Sequence, residues 1–98
     1  NKKSVCQILV TIFSVDLLSS ALFIAKTLRD QGLNTDLYLN PEDRLDKQLK
    51  YADRKGIPYV IIQGPQEEMK NKLVLKNMQT KKQEELTIDE VISKLISN

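Results

Sequence analysis

The sequence predicts an α/β domain built on a five-stranded mixed sheet with three helices. Apolar runs of strand length alternate with segments whose apolar residues recur at helical spacing, which implies parallel strands joined by right-handed crossovers. The last two strand candidates are joined by only a short polar link, and that requires antiparallel pairing. A chain of 98 residues, 41% hydrophobic and 29% charged, suffices for one folded unit.

Asn1 to Ser4 is polar and reads as a linker or tail, which assigns the domain proper to residues 5–98. Val5 to Phe13 (VCQILVTIF) has almost no polar face, as expected of a strand in the middle of a sheet. Ser14 or Asp16 suits the start of the next helix, whose stripe runs through Leu17, Leu18, Ala21, Leu22, Ile24, Ala25 and Leu28. Gly32 stops it. Asn34 to Leu39 alternates and reads as a less buried strand.

Leu45, Leu49 and Ala52, with Tyr51 beside them, form the apolar face of a second helix. Gly56 ends it, because a residue without Cβ enters the left-handed conformation cheaply, and Pro58 bars continuation. Tyr59 to Ile62 follows as a buried strand closed by Gly64-Pro65. Glu67 to Asn71 reads as one helical turn. Lys72 to Met78 and Lys82 to Leu86 are strands paired around a turn at Gln79-Thr80-Lys81. Thr87 and Glu90 form a capping box ahead of the stripe Ile88, Val91, Ile92, Leu95 and Ile96.

Composition removes several function classes. With no histidine and one cysteine, an internal disulfide and a Cys/His metal site are both excluded. Cys6 lies in the first apolar run and reads as a core thiol, and the scarcity of cysteine agrees with a reducing cytoplasm. No apolar run approaches the roughly 20 residues that span a bilayer. The glycines at 32, 56 and 64 are too far apart for a phosphate loop. Adjacent carboxylates such as Glu67-Glu68 and Glu84-Glu85 read as solvated surface. Binding is therefore favoured over catalysis.

A net charge of +2 permits a local basic patch and excludes a domain whose binding is mainly electrostatic. Lys47, Lys50 and Arg54 form a row on the second helix. Its solvated reading is two i,i+4 ion pairs, Asp43 with Lys47 and Asp46 with Lys50. Lys70, Lys72, Lys76, Lys81 and Lys82 surround the antiparallel pair, where edge lysines commonly guard against aggregation. Both groups flank the loop after Gly64, the end of a parallel strand where open α/β sheets bind ligands. Tyr38, Tyr51 and Tyr59 are of a type that stacks on bases or covers a sheet.

The segments LVTIF, LDKQLKYADRKGIPYVIIQG, KLVLKNM and TIDEVISKL resemble, in that order, the C-terminal anticodon-binding domain of class II aminoacyl-tRNA synthetases. Within that group the chain is most similar to the histidyl-tRNA synthetases. The resemblance runs from Val5 to Leu95, and KQLKYADRKGIPYVII is its most specific part. It implies a three-layer anticodon-binding-domain fold and a role in gripping the anticodon stem-loop of histidine tRNA. It also implies a parent histidine–tRNA ligase, cytoplasmic and homodimeric. The active site, with its ATP and Mg, would lie in a catalytic domain outside these residues, and this domain would hold no cofactor and touch no membrane.

The resemblance places RNA contacts at Glu42, Arg44 and Lys47, at Glu67 after the central strand, and at Lys76 on the strand that follows. Carboxylates accept from base amino and imino groups, while Arg and Lys donate to carbonyls and phosphates. Two features depart from the family pattern. Pro65-Gln66 precedes Glu67 where an acidic residue usually follows the glycine directly, and Lys76 stands where arginine is common. Two other readings share the fold: a synthetase-like regulatory or accessory protein, and a protein-interaction domain.

Overall fold

The computed structural model describes residues 5–96, so the linker expected at residues 1–4 lies outside the described residues. The elements are β1 (Ile8–Val10), a 3-10 turn (Val15–Leu17), α1 (Leu18–Asp30), β2 (Thr35–Leu37), α2 (Leu45–Lys55) and β3 (Tyr59–Ile62). They continue as α3 (Pro65–Met69), β4 (Leu73–Asn77), β5 (Gln83–Leu86) and α4 (Ile88–Ile96). One five-stranded sheet has the order β2-β1-β3-β4-β5. β2, β1 and β3 are parallel, because α1 and α2 carry the chain back between them. β4 joins β3 antiparallel, and β5 joins β4 likewise. The predicted mixed α/β sheet is therefore present.

Each face of the sheet has its own core. Ile8, Val10, Ile61, Leu73 and Leu75 pack against Ala21, Ile24, Ala25 and Leu28 of α1 and Val91 of α4. Cys6, Leu9, Val60 and Met78 pack on the other side with Ala52 of α2 and Ile57. Ile8, Leu9 and Val60 are fully buried, which is why β1 and β3 read as continuous apolar runs. Cys6 is the core thiol expected, and burial pushes its pKa above the ordinary thiol value.

Several boundaries differ from expectation, each for a local reason. β1 is three residues rather than nine: the Thr11 amide still reaches the Ile61 carbonyl of β3, but the Ile12 amide and carbonyl are both taken by Gln48. β2 stops at Leu37, and Leu39 is 92% exposed. Ser14 heads the 3-10 turn without a side-chain cap bond, and α1 begins only at Leu18. Leu22, expected in the α1 stripe, is half-exposed. The helical turn expected at Glu67–Asn71 is α3, a fourth helix, starting two residues earlier because Pro65 is preorganised for the first helical position.

The stop and start signals behave as read. Gly56 takes φ 72°, and the Ile57 amide donates back to the Ala52 carbonyl at 3.0 Å. At α4 the Thr87 amide donates to Glu90 Oε1 at 2.8 Å, and the Glu90 amide donates to Thr87 Oγ1 at 3.1 Å.

Candidate functional site

The parallel strands β1 and β3 end side by side, and three segments lie at that edge: the loops 11–14 and 38–44, and residues 63–67, which lead into α3. Two glutamines hold these segments. Gln48 of α2 is completely buried. Its Oε1 accepts from the Ile12 amide at 2.8 Å, and its Nε2 donates to the Ile12 carbonyl at 2.8 Å and to the Asp43 carbonyl at 2.9 Å. One amide side chain thus continues the hydrogen bonding of β1 past its end and ties in the loop that leads to α2. Thr11 binds the Ile61 carbonyl through both its amide and its hydroxyl, at 3.0 and 2.7 Å.

Gln63 performs the corresponding task after β3. Ser20 of α1 donates to its Oε1, while its Nε2 donates to the Lys72 carbonyl at 2.8 Å. Beyond it the Gly64 amide donates to Glu67 Oε1 at 2.7 Å. Gly64 has φ −89°, so its conformation does not require glycine; its surroundings do. A Cβ there would lie 2.9 Å from Glu67 Oε1 and 3.3 Å from Phe13 Cε2. The missing side chain lets the carboxylate fold back and the phenyl ring come close.

The predicted contact residues fall into three positions. Glu42 lies exposed in the turn before α2, its amide bonded to Asn40 Oδ1 at 3.0 Å. Arg44 and Lys47 project at the start of α2, with only long ion pairs: Arg44 Nε lies 3.6 Å from Asp46 Oδ1, and Lys47 Nζ 3.6 Å from Asp43 Oδ1. Gln48 couples this group to the end of β1. Glu67 sits in the first turn of α3, where Oε1 caps Gly64; among the described residues Oε2 has no hydrogen-bond partner. Lys76 stands apart. On β4 it pairs with Val60 of β3, roughly 7 Å down the strand from the Val74–Ile62 pair at the edge. Direct cross-strand partners share a face, so Lys76 lies on the α2 side of the sheet.

The basic groups differ from the simple ion-pair reading. Asp43 pairs with Lys47 as expected, but Asp46 pairs with Arg44 rather than Lys50. Arg54 and Lys55 lie 5.8 and 5.9 Å from the centre of the Tyr51 ring. On the hairpin, Lys70 pairs with Glu85 at 2.9 Å and Lys94 with Glu84 at 3.2 Å. No ion pair among the described residues engages Lys72, Lys76, Lys81 or Lys82.

The tyrosines are engaged internally. Tyr38 and Tyr51 meet edge to face at 5.4 Å, and Tyr59 packs on the core. Tyr38 donates to Asp43 Oδ2 at 2.7 Å, and that bond to a carboxylate, aided by burial, raises the phenol pKa. The aromatic at the edge is Phe13, 48% exposed. In the sequence Phe13 reads as part of the first strand, and Gln48 and Gln63 carry no expected role. Gln48 did leave a signal, a polar residue three after Leu45 and four before Ala52 in an apolar stripe.

Comparison with known proteins agrees with this fold. The family model described as the anticodon binding domain matches residues 7–98. The histidine–tRNA ligase of Cytophaga hutchinsonii is 39% identical over 90 residues, covering 92% of this chain and 20% of that protein. That of Porphyromonas gingivalis is 40% identical over 83 residues, covering 85% of this chain and 18% of that protein. The chain thus spans about a fifth of the length of these curated relatives. Among solved structures, histidyl-tRNA synthetase from Nostoc sp. PCC 7120 superposes with a TM-score of 0.90 at 26% identity, over 96% of this chain and 22% of that one. The RNA binding domain of threonyl-tRNA synthetase from Cryptosporidium parvum shares the fold, with a TM-score of 0.89 at 23% identity over 96% of this chain and 24% of that one.

Proposed function

We propose a function from one premise: this chain belongs to the anticodon-binding domain family, and its curated relatives are histidine–tRNA ligases. On this reading the domain docks the anticodon stem-loop of histidine tRNA. The observation that carries the reading is the family match over residues 7–98, together with relatives about 40% identical. The parent protein joins histidine to tRNA using ATP and Mg held in a catalytic domain outside these residues, works as a homodimer and resides in the cytoplasm. The domain itself uses no cofactor. Among the described residues, no helix is long and apolar enough to cross a membrane.

Glu42, Arg44, Lys47, Glu67 and Lys76 are assigned to the RNA. The free Oε2 of Glu67 accepts from a base edge, while exposed Arg44 and Lys47 meet phosphates. Lys76, set back on the sheet, meets a nucleotide that passes over the α2 side. The test is a titration with two labelled stem-loops at low salt, one carrying the histidine anticodon and one a scrambled loop. The reading expects tighter binding of the first. Equal binding that weakens in parallel with salt would reduce the site to a phosphate-gripping patch.

A further inference from the structure

We propose that Phe13 is the stacking platform on which one unpaired base of the anticodon loop rests; this deepens the anticodon reading and depends on it. Phe13 belongs to an apolar run, and its neighbours Ile12 and Val10 are buried to 1%, yet it is 48% exposed. Its ring lies beside Gly64: Cε2 and Cδ2 stand 3.3 and 3.5 Å from the point a Cβ there would occupy, so the approach depends on that side chain being absent.

The backbone behind the ring is held. Thr11 is bonded twice to Ile61, and the Ile12 amide and carbonyl are both taken by Gln48, so the backbone leading into Phe13 is fixed. A platform ordered beforehand adds little entropic cost on binding. Glu67 Oε1, which accepts from the Gly64 amide, lies 2.9 Å from the same point, so the carboxylate whose Oε2 is assigned to a base edge stands beside the ring. Stacking plus an acceptor for a base edge is how proteins hold splayed single-stranded bases. The chain's other aromatics suit this less well. Tyr38, Tyr51 and Tyr59 are packed internally, and Phe23 is exposed on α1 outside the three segments.

The sequence contains no tryptophan, so Phe13→Trp creates a single indole reporter. The stem-loop carrying the histidine anticodon is titrated against wild type, F13W and F13L, with far-UV circular dichroism and urea midpoints confirming the fold of each. F13L keeps apolar bulk without an aromatic face. The expected result is quenching of F13W emission on binding, wild-type-like affinity for F13W, and roughly tenfold weaker binding for F13L. The F13L deficit should persist as salt rises, because stacking releases no counterions. F13L binding as tightly as wild type, or F13W bound without quenching, overturns the platform while leaving the anticodon reading intact. Wild type showing no preference for this stem-loop over a scrambled one overturns both.

Discussion

The edge where β1 and β3 end and the β4–β5 hairpin are both polar, but they are organised by different physics. At the edge, two uncharged amides, Gln48 and Gln63, bridge elements far apart in sequence, and Gln48 is fully enclosed. On the hairpin, polar order comes from lysine–glutamate pairs whose side chains are 38–58% exposed. An enclosed amide that loses its partners leaves buried groups unsatisfied, whereas an exposed ion pair that breaks exchanges its partner for water. Rigidity is therefore concentrated at the edge carrying the candidate site, and the hairpin is tolerant. Four experiments probe that contrast, from the most severe effect to the mildest.

Gln48→Leu should cost the most. It preserves approximate volume but strands the Ile12 amide, the Ile12 carbonyl and the Asp43 carbonyl. Each buried unsatisfied group costs about 1–3 kcal/mol, and water can reach the Asp43 end, so the net loss should be about 3 kcal/mol. A shift in the urea midpoint at unchanged slope measures it. A loss below 1 kcal/mol would erase the difference between the two regions.

Gln63→Leu should follow, at roughly 1.5 kcal/mol, because its Ser20 and Lys72 partners are only part-buried. Its second effect is more telling. With the β3–α3 loop released, Glu67 and Phe13 lose their common support at Gly64, so stem-loop affinity should fall even though Gln63 is assigned no RNA contact. Unchanged affinity in a destabilised Q63L protein would show that the loop holds its shape without the clamp.

Tyr38→Phe should cost roughly 0.5 kcal/mol, the net worth of one hydrogen bond, here to Asp43 in the loop that Gln48 also holds. Its pH dependence has a defined sign. The folded-state pKa of Tyr38 lies above the ordinary value of 10.0, so the fold prefers the protonated phenol. The stability advantage of wild type over Y38F should be full below pH 10.0 and shrink as pH rises through the raised pKa. Paired urea melts at pH 8 and about pH 11 should reveal it. An advantage that grows with pH would contradict the bond.

Much of this edge is legible in the sequence, though unevenly. β3 emerged with its true limits because Tyr59–Ile62 is bounded by Pro58 and Gly64, and a short β-branched run between such stops admits one reading. The cap at Thr87 and the stop at Gly56 were equally clear, since both are local chemistry. The end of β1 was not. Residues 11–13 remain apolar, and apolarity reports burial rather than which carbonyl an amide finds. Gln63 reaches Ser20 across 43 positions, a separation over which no periodicity speaks. Arg44 and Lys47 could be placed from the start of α2 alone. The setting of Lys76 away from the edge depends on the register of β4 against β3, which only the folded sheet fixes.

The mildest perturbation belongs to the hairpin. Lys70 Nζ meets Glu85 Oε2 at 2.9 Å, with side-chain exposures of 58% and 38%. Close contact alone does not make such a pair strong, because water screens it and two long side chains must be ordered to form it. A double-mutant cycle of Lys70→Ala and Glu85→Ala should return a coupling of about 0.3 kcal/mol, lost in high salt. Lys94 and Glu84 repeat the arrangement on the α4 side, so the hairpin neutralises a lysine on each face without fixing either. A coupling above 1 kcal/mol that survived salt would mean this pair is locked like Gln48. The hairpin would then share the rigidity assigned to the edge, and Lys76, standing between Val60 and Gln83, would sit in a built site and not on a tolerant surface.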